Sequence, residues 1–136
     1  MSDIKILAID FGERRIGLAI GDLENKIATP LKTIKNISYE SILKEISLIV
    51  EEWEINQIVI GIPESYPDQN INKQITNFSK ILRKKLKIDV ILFNEDFSSN
   101  YAQSDLASQM KAGRKKKINK EEIDRIAATI ILQSYF

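Results

Sequence analysis

The sequence predicts an α/β fold with a five-stranded mixed sheet, in which an antiparallel meander is followed by βαβ units and helices cover both faces. Two observations lead to this fold. Three strand-length segments come first, joined by connections too short to hold a helix. Two further apolar runs then alternate with amphipathic helices, which is the order of elements in βαβ units. We expect one domain over residues 1–136, because a chain of this length is too short for two ordinary domains.

The first two strands form a predicted hairpin. Ile4–Ile9 and Ile16–Ile20 are short apolar runs, and a glycine-containing turn joins them with Asp10 at its mouth. A strand that is apolar on both faces is typical of the centre of a sheet, so we expect this carboxylate to emerge at the sheet rim. The alternative is that it accepts hydrogen bonds from amides of the turn. Gly12 and Gly17 leave room for a close ligand or for a turn with positive φ.

The remaining elements follow in chain order. Pro30 lies in the third strand, over Lys26–Ile34, and predicts an edge strand or a bulge, because proline has no amide hydrogen for a ladder bond. Ser38 is a candidate N-cap for an amphipathic helix, and we expect Trp53, on its apolar stripe, to lie in the core rather than on a stacking surface. The later elements are a strand over Gln57–Ile62, a helix from Ile71 to Leu86, a strand over Asp89–Phe93, a helix from Ser98 or Ser99 to about Met110, and a last helix from Lys120 or Glu121.

Composition restricts the chemistry. The chain has no cysteine and no histidine, which excludes disulfides, thiolate nucleophiles, zinc–sulfur sites and imidazole bases. Any catalysis must use carboxylates, lysines, hydroxyls or a hard metal ion bound by oxygen. The net charge is only +1, so a basic binding surface must be local. No apolar run approaches the ~20 residues that span a bilayer, and no signal peptide is evident; we expect a soluble cytoplasmic protein with no membrane partner.

Three acids from distant parts of the chain converge under this topology. Asp10 ends the first strand, Glu95 follows the last strand, and Asp124 lies in the first turn of the last helix. Carboxylates brought so close repel one another unless a cation lies between them. A carboxylate cluster without imidazole or thiolate suits Mg²⁺ or Mn²⁺, and two such ions about 3.5–4 Å apart would activate a water and stabilise the leaving oxygen of a phosphodiester. The simpler role for Asp124 is stabilisation of the helix dipole.

Two basic stretches are candidate anion-binding segments. The cations from Arg83 to Lys87 end a predicted helix, where they favour the dipole. The stretch Lys111–Lys120 has six basic residues and no acidic one. A run of this kind is more often a solvated loop than a nucleic-acid contact, and both explanations stay open.

Six motifs follow one another along the chain: DFGERRIGLAIGD, ATPLKTI, IVIGIP, NEDFSS, KAGRKKK and EIDRIAATIILQSY. Together they resemble the YqgF (RuvX) family of Holliday-junction resolvases, also described as pre-16S rRNA processing nucleases, and the resemblance covers essentially the whole chain. It implies a ribonuclease H-like fold and a metal-dependent nuclease that acts in 5′-end maturation of precursor 16S rRNA. The alternatives are resolution of branched DNA and a catalytically weak nucleic-acid-binding module of the same fold.

The resemblance also assigns site residues. It places the catalytic and metal-binding acids of the family on Asp10, Glu95 and Asp124, with Mg²⁺ or Mn²⁺ as cofactor. The family usually has an Asp-Glu-Arg-Leu-Thr string where this chain has Asn-Glu-Asp-Phe-Ser, so Asp96 stays open as an alternative to Glu95. The expected partner is nucleic acid, either precursor rRNA or branched DNA, and the chain is expected to be a monomer or a homodimer. The residues expected to contact nucleic acid are Arg14, Arg15, Arg114, Lys115, Lys116 and Lys117.

A small actin-like or sugar-kinase-like domain is the competing class. An Asp-x-Gly sequence beside a β-hairpin also binds phosphate in those folds. A full member of that class needs a second lobe, and 136 residues do not hold one.

Overall fold

The computed structural model describes residues 4–63, 69–94 and 120–136. Within these ranges no helix combines the length and the apolar character needed to cross a membrane. The helix predicted between Ser98 or Ser99 and Met110 lies outside the described residues. The described elements are the strands β1 (Lys5–Phe11), β2 (Arg15–Asp22), β3 (Thr29–Lys35), β4 (Gln57–Ile62) and β5 (Asp89–Asn94), and the helices α1 (Tyr39–Glu52), α2 (Gln69–Leu86) and α3 (Lys120–Tyr135).

The five strands form one mixed sheet in the order β3-β2-β1-β4-β5. β2 pairs antiparallel with β1 and with β3, whereas β4 pairs parallel with β1 and with β5. The predicted meander followed by βαβ units is therefore confirmed. The central position of β1 explains its composition, because its residues from Ile6 to Ile9 are fully buried between two layers of helix.

The edge strand β3 accommodates Pro30 in both of the ways that the sequence suggested. β3 pairs with β2 alone, so its outer side needs no ladder hydrogen bonds. The register between the two strands also shifts, since Leu18 pairs with Lys32 whereas Ala19 pairs with Pro30. One extra residue of β3 is thereby left over, as in a β-bulge.

Alternation along the strands divides the core into two layers. Leu7, Ile9 and Phe11 of β1 pack with buried residues of α1 and α2 on one face. Ile6 and Ala8 face the other way, towards α3. The layer on that side consists of Ile6, Ala8, Ala19, Val59, Ala128, Ile131 and Leu132. We call this second side the α3 face of the sheet.

The helix α1 begins as the sequence predicts and ends differently. The Ser38 hydroxyl accepts a hydrogen bond from the amide of Ser41 at 3.1 Å, which caps the helix. The prediction that Trp53 lies in the core was wrong, because its side chain is 40% exposed. Trp53 follows the last helical residue, and the next residue, Glu54, has φ 52°, so the chain leaves the helical path there. The Trp53 side chain instead lines a surface pocket together with Lys5 and Ile27.

Polar contacts hold both ends of α3 on the sheet. Near its start, the Thr33 hydroxyl donates to the carbonyl oxygen of Glu121 at 2.7 Å. Near its end, the Gln133 side chain donates to the carbonyl oxygen of Lys26 at 2.9 Å and accepts from the amide of Ala28 at 3.1 Å. The helix is therefore fixed in rotation as well as in position, which decides where its polar side chains lie.

Gly17 in β2 is the point of closest approach between α3 and the sheet. A Cβ atom built on Gly17 would lie 2.0 Å from the carbonyl oxygen and 2.4 Å from the carbonyl carbon of Asp124. Both are backbone atoms, so the clash could be relieved only by moving the helix. The absence of a side chain at this residue therefore sets the distance between α3 and β2.

We expect Gly17→Ala to displace the start of α3 and to lower the free energy of unfolding by about 1–3 kcal/mol, the usual range for overpacking. Thr33→Ala is the matched comparison, because it removes one hydrogen bond to the same turn and should cost only about 1 kcal/mol. Chemical denaturation monitored by circular dichroism measures both values. A Gly17→Ala protein as stable as the wild type would show that the helix does not depend on this close approach.

Candidate active site

Asp10 lies where the sequence predicts, at the end of the central strand. It is the last but one residue of β1, and its side chain is partly exposed. Alternation with Ile6 and Ala8 puts it on the α3 face. Because β4 and β5 run parallel to β1, all three strands end at the same rim of the sheet. Asp10 pairs with Gly17 of β2, and its carboxylate therefore lies on a central strand at the rim where β4 and β5 also end.

Hydrogen bonds to backbone carbonyl oxygens hold the turn after Asp10. The Gly12 amide donates to the carbonyl oxygen of Arg15 at 3.0 Å. Asn36 bonds both sides of the turn, through its side-chain nitrogen to the Gly12 carbonyl oxygen at 2.8 Å and through its amide to the Arg14 carbonyl oxygen at 2.9 Å. These bonds fix the backbone that carries Arg14 and Arg15 next to the rim.

The two glycines near Asp10 act through close approach of the chain's own backbone. A Cβ atom on Gly12 would lie 2.5 Å from the carbonyl oxygen of Arg15. The room at Gly17 is filled by the backbone of Asp124 rather than by a ligand. None of the glycines in the described ranges has a positive φ, so that part of the expectation was wrong.

Asp124 meets the hairpin beside Asp10. Gly17 pairs directly with Asp10 across β1 and β2, and the Asp124 backbone rests on Gly17. Asp124 of α3 therefore lies against β2, the strand that pairs with β1 and its Asp10. Its place in the helix differs from the prediction. α3 begins at Lys120, so Asp124 follows the first turn, in which the acidic residues are Glu121 and Glu122. Dipole stabilisation in the first turn therefore belongs to those two glutamates.

The Asp124 carboxylate is bound by a guanidinium. Nε of Arg15 donates to Oδ2 of Asp124 at 2.7 Å, a short charge-assisted hydrogen bond. The two side chains are 30% and 20% exposed, so the pair lies at the surface of the site and adds at most about 1 kcal/mol to stability. Its main consequence is orientation, because it turns the carboxylate towards the Arg15 side of the rim.

The six predicted basic contacts are distributed over two regions. Arg14 is exposed beside the rim, and Arg15 is partly exposed in its pair with Asp124. The other four, Arg114 to Lys117, lie outside the described residues. The cations from Arg83 to Lys85 are in the last turn of α2, as the sequence predicts. Arg83 also bonds the carbonyl oxygen of Val90 at 2.8 Å through one of its terminal nitrogens.

The described residues contain two of the three predicted metal-binding acids. Glu95 and the alternative Asp96 lie outside the described ranges. Within those ranges no group of three acidic side chains gathers as a metal ion would need. The described part of the site contains two carboxylates, an arginine that is paired with one of them, and a tight turn.

Sequence reasoning missed three contacts that build this site. The pairing of Arg15 with Asp124 joins residues 109 positions apart, and the roles of Thr33 and Asn36 also depend on tertiary contacts. One usable signal was present. In a strand, residues two apart share a face, so Arg15 and Gly17 could have been placed on the same side of β2. Nothing local in the sequence shows which helix covers that side.

Comparisons with known proteins agree with this architecture. The family model described as "RuvX: Holliday junction resolvase" matches residues 4–136. A protein of Nitrosospira multiformis named "Putative pre-16S rRNA nuclease" is 38% identical over 132 residues, which cover 96% of this chain and 85% of that protein. A protein of Mycoplasma mobile with the same name is also 38% identical, over 95% of this chain and 89% of its own length.

Solved structures resemble the chain in fold at low sequence identity. RuvC of Thermus thermophilus in complex with a Holliday junction substrate superposes with a TM-score of 0.65 at 12% identity, covering 97% of this chain and 94% of RuvC. The large terminase nuclease of the thermophilic phage G20c superposes with a TM-score of 0.61 at 13% identity, covering 99% of this chain and 83% of the terminase nuclease. These similarities establish the ribonuclease H-like fold.

Proposed function

The chain belongs to the RuvX family, and from this premise we propose that it is a divalent-metal-dependent endonuclease of precursor 16S rRNA, acting in the cytoplasm. The observation that carries the proposal is the meeting of Asp10 and Asp124 at one rim of the sheet. The names of the relatives support rRNA as the substrate. Branched DNA is the second candidate, because the family model is described as a Holliday junction resolvase.

The donor set fits a hard divalent cation. The acids are oxygen ligands, and the chain contains no histidine or cysteine that would favour softer metals. The contact of Arg15 with Asp124 also indicates that this carboxylate accepts a positive charge beside it. We propose that Asp10, Asp124 and Glu95 hold Mg²⁺ or Mn²⁺. When bound, the metal ion would lower the pKa of a water and stabilise charge on the leaving oxygen of a phosphodiester.

The alternation of β5 supports Glu95 over Asp96 as the third acid. Ile91 and Phe93 pack against the cluster on the α3 face, and the Phe93 ring meets Tyr135 of α3 edge to face at 5.8 Å. Side chains two residues apart in a strand share a face, so a strand that continued past Phe93 would favour Glu95 over Asp96 for this side. Asp10 and Asp124 both belong to the α3 face, and this supports our proposal of Glu95 as the third acid.

The fold holds the two described acids in place, and nearby cations are the proposed contacts for the substrate phosphates. β1 and α3 hold the two described acids on elements that are paired or packed along their length, which keeps the carboxylates in place without substrate. Arg14, exposed on the adjoining turn, offers a cation to a phosphate near the acids. We propose that Arg114, Lys115, Lys116 and Lys117 bind the phosphate backbone further from the cut.

Asp10→Asn should eliminate Mg²⁺-dependent cleavage of a 5′-extended precursor rRNA without lowering the melting temperature, because it removes one of several crowded negative charges. Asp22→Asn is the control. Asp22 accepts from the Asn25 amide at 2.6 Å at the opposite end of the hairpin, so loss of its charge should weaken this hydrogen bond, lower stability slightly and leave cleavage intact. End mapping separates internal cuts from stepwise release of nucleotides, and a four-way DNA junction tested in parallel separates the two substrates. Full cleavage by Asp10→Asn would contradict the site.

Glu95→Gln should abolish turnover at saturating Mg²⁺, whereas Asp96→Asn should retain most of it. Only the first removes a proposed metal ligand, and the second should tighten nucleic-acid binding by removing a negative charge near the phosphates. Single-turnover cleavage and binding in Ca²⁺ measure the two effects. The reverse pattern of activities would mean that the alternation breaks after Phe93.

Neutralising Arg114, Lys115, Lys116 and Lys117 together should weaken binding to all sequences alike. The slope of log affinity against log salt should become shallower by roughly 0.7–0.9 for each cation that no longer neutralises a phosphate. The matched control neutralises four exposed cations of and just after α2, Lys80, Lys84, Lys85 and Lys87, near the sheet end where β5 begins. Equal slopes for the wild type and the first variant would identify the run as a solvated loop.

A further inference from the structure

The ion pair between Arg15 and Asp124 places a permanent cation on a proposed metal ligand. Nε of Arg15 lies 2.7 Å from Oδ2 of Asp124. A guanidinium stays protonated at any pH that a folded protein experiences, so its charge cannot be lost when a divalent cation approaches. Two cations beside one carboxylate repel each other. Repulsion from a bound divalent cation would therefore weaken the contact between Arg15 and Asp124.

We propose that Arg15 is an exchangeable counterion, which neutralises Asp124 in the metal-free protein and moves to a phosphate oxygen of the nucleic acid when a divalent cation takes the carboxylate. This inference rests on the proposed function, because it takes Asp124 as a metal ligand. It goes further because it assigns Arg15 to two anions in turn, first the Asp124 carboxylate and then a phosphate of the nucleic acid. Its thermodynamic consequence is that metal binding and nucleic-acid binding strengthen each other by the same factor.

The surroundings of Arg15 allow the side chain to move while the backbone stays in place. The Arg15 carbonyl oxygen is held by the Gly12 amide at 3.0 Å, and Asn36 braces the same turn. The side chain is 30% exposed, so protein does not enclose it completely. The planar group with its five donors fits a phosphate as well as it fits a carboxylate.

The start of α3 keeps other attachments when Arg15 leaves. The Thr33 hydroxyl donates to the Glu121 carbonyl oxygen, and the Asp124 backbone packs closely against Gly17 of β2. These contacts involve backbone atoms of the helix and not the Asp124 carboxylate. Exchange of the counterion therefore leaves Asp124 positioned beside Asp10.

The first test measures binding of Mn²⁺ alone by electron paramagnetic resonance, in the absence of nucleic acid. Arg15→Gln removes the competing cation and should tighten Mn²⁺ binding about two- to fivefold, the range expected when a partly exposed pair is removed. Arg15→Lys keeps a cation in place and should stay near the wild-type affinity. Arg14→Gln removes the same charge from the adjacent exposed residue and should change the affinity less than Arg15→Gln. Unchanged or weaker Mn²⁺ binding by Arg15→Gln would overturn the proposal, since a purely structural pair would be needed to orient Asp124.

The second test measures affinity for a fluorescent precursor rRNA fragment with and without Ca²⁺, used in place of Mg²⁺ to suppress cleavage. The wild type should bind at least roughly fivefold more tightly with Ca²⁺, within the usual range of coupling between sites. Arg15→Gln should lose most of that enhancement, and Arg14→Gln should keep it. Equal enhancement in the wild type and in Arg15→Gln would overturn the proposal.

Two further variants separate failure of this proposal from failure of the proposed function. Asp10→Asn and Asp124→Asn should each weaken Mn²⁺ binding. If neither does, the metal site itself is wrong and the counterion proposal falls with it. If both do while Arg15→Gln behaves as the wild type in both assays, the metal site stands and the exchange is disproved. Thermal melting confirms that each variant is folded.

Discussion

The close approach of α3 to Gly17 is the constraint on which the site depends. Without a side chain at that residue, the helix backbone descends to the surface of β2, and Asp124 comes to the strand paired with Asp10. The same seating closes the apolar layer between the sheet and Ala128, Ile131 and Leu132. Core packing and site geometry are thus two results of one close approach, so a substitution that lifts the helix damages both together.

The sheet and the hairpin turn position the other groups of the candidate site around this close approach. β1 is paired on both sides and buried on both faces, which gives Asp10 a support that does not move with the substrate. The parallel direction of β1, β4 and β5 brings their ends to one rim, as is general for sites in sheets of this kind. Arg14 lies in the tight turn of the hairpin and Arg15 begins β2, so the turn places two cations close to the acids. The hairpin of β1 and β2 therefore supplies one acid and two cations, and α3 supplies the second acid.

Much of the fold could be predicted because its signals are local. The isoleucine-rich runs of β1 and β4, the proline of β3 and the Ser38 cap each act within a few residues. Helical periodicity failed at Trp53, because spacing alone does not show where a helix ends. The use of Gly17 and the pairing of Arg15 with Asp124 could not be predicted, since both depend on which helix covers the α3 face. The order of elements alone placed Asp10 at the end of a central strand and Asp124 near the start of the last helix, and the family resemblance named the same two acids.

The attachment of α3 also bears on how the chain folds. Arg15 and Asp124 are 109 residues apart, whereas β1, β2 and β3 join through short turns. Closing a loop of that length costs more conformational entropy than closing a hairpin, so the meander forms early and α3 docks late. Until α3 docks, the sheet exposes an apolar surface that favours aggregation, formed by Ile6, Ala8, Ala19 and Val59. The strand that carries Asp10 and the helix that carries Asp124 come together only in this last step, so local detachment of α3 would separate the two acids without unfolding the opposite layer.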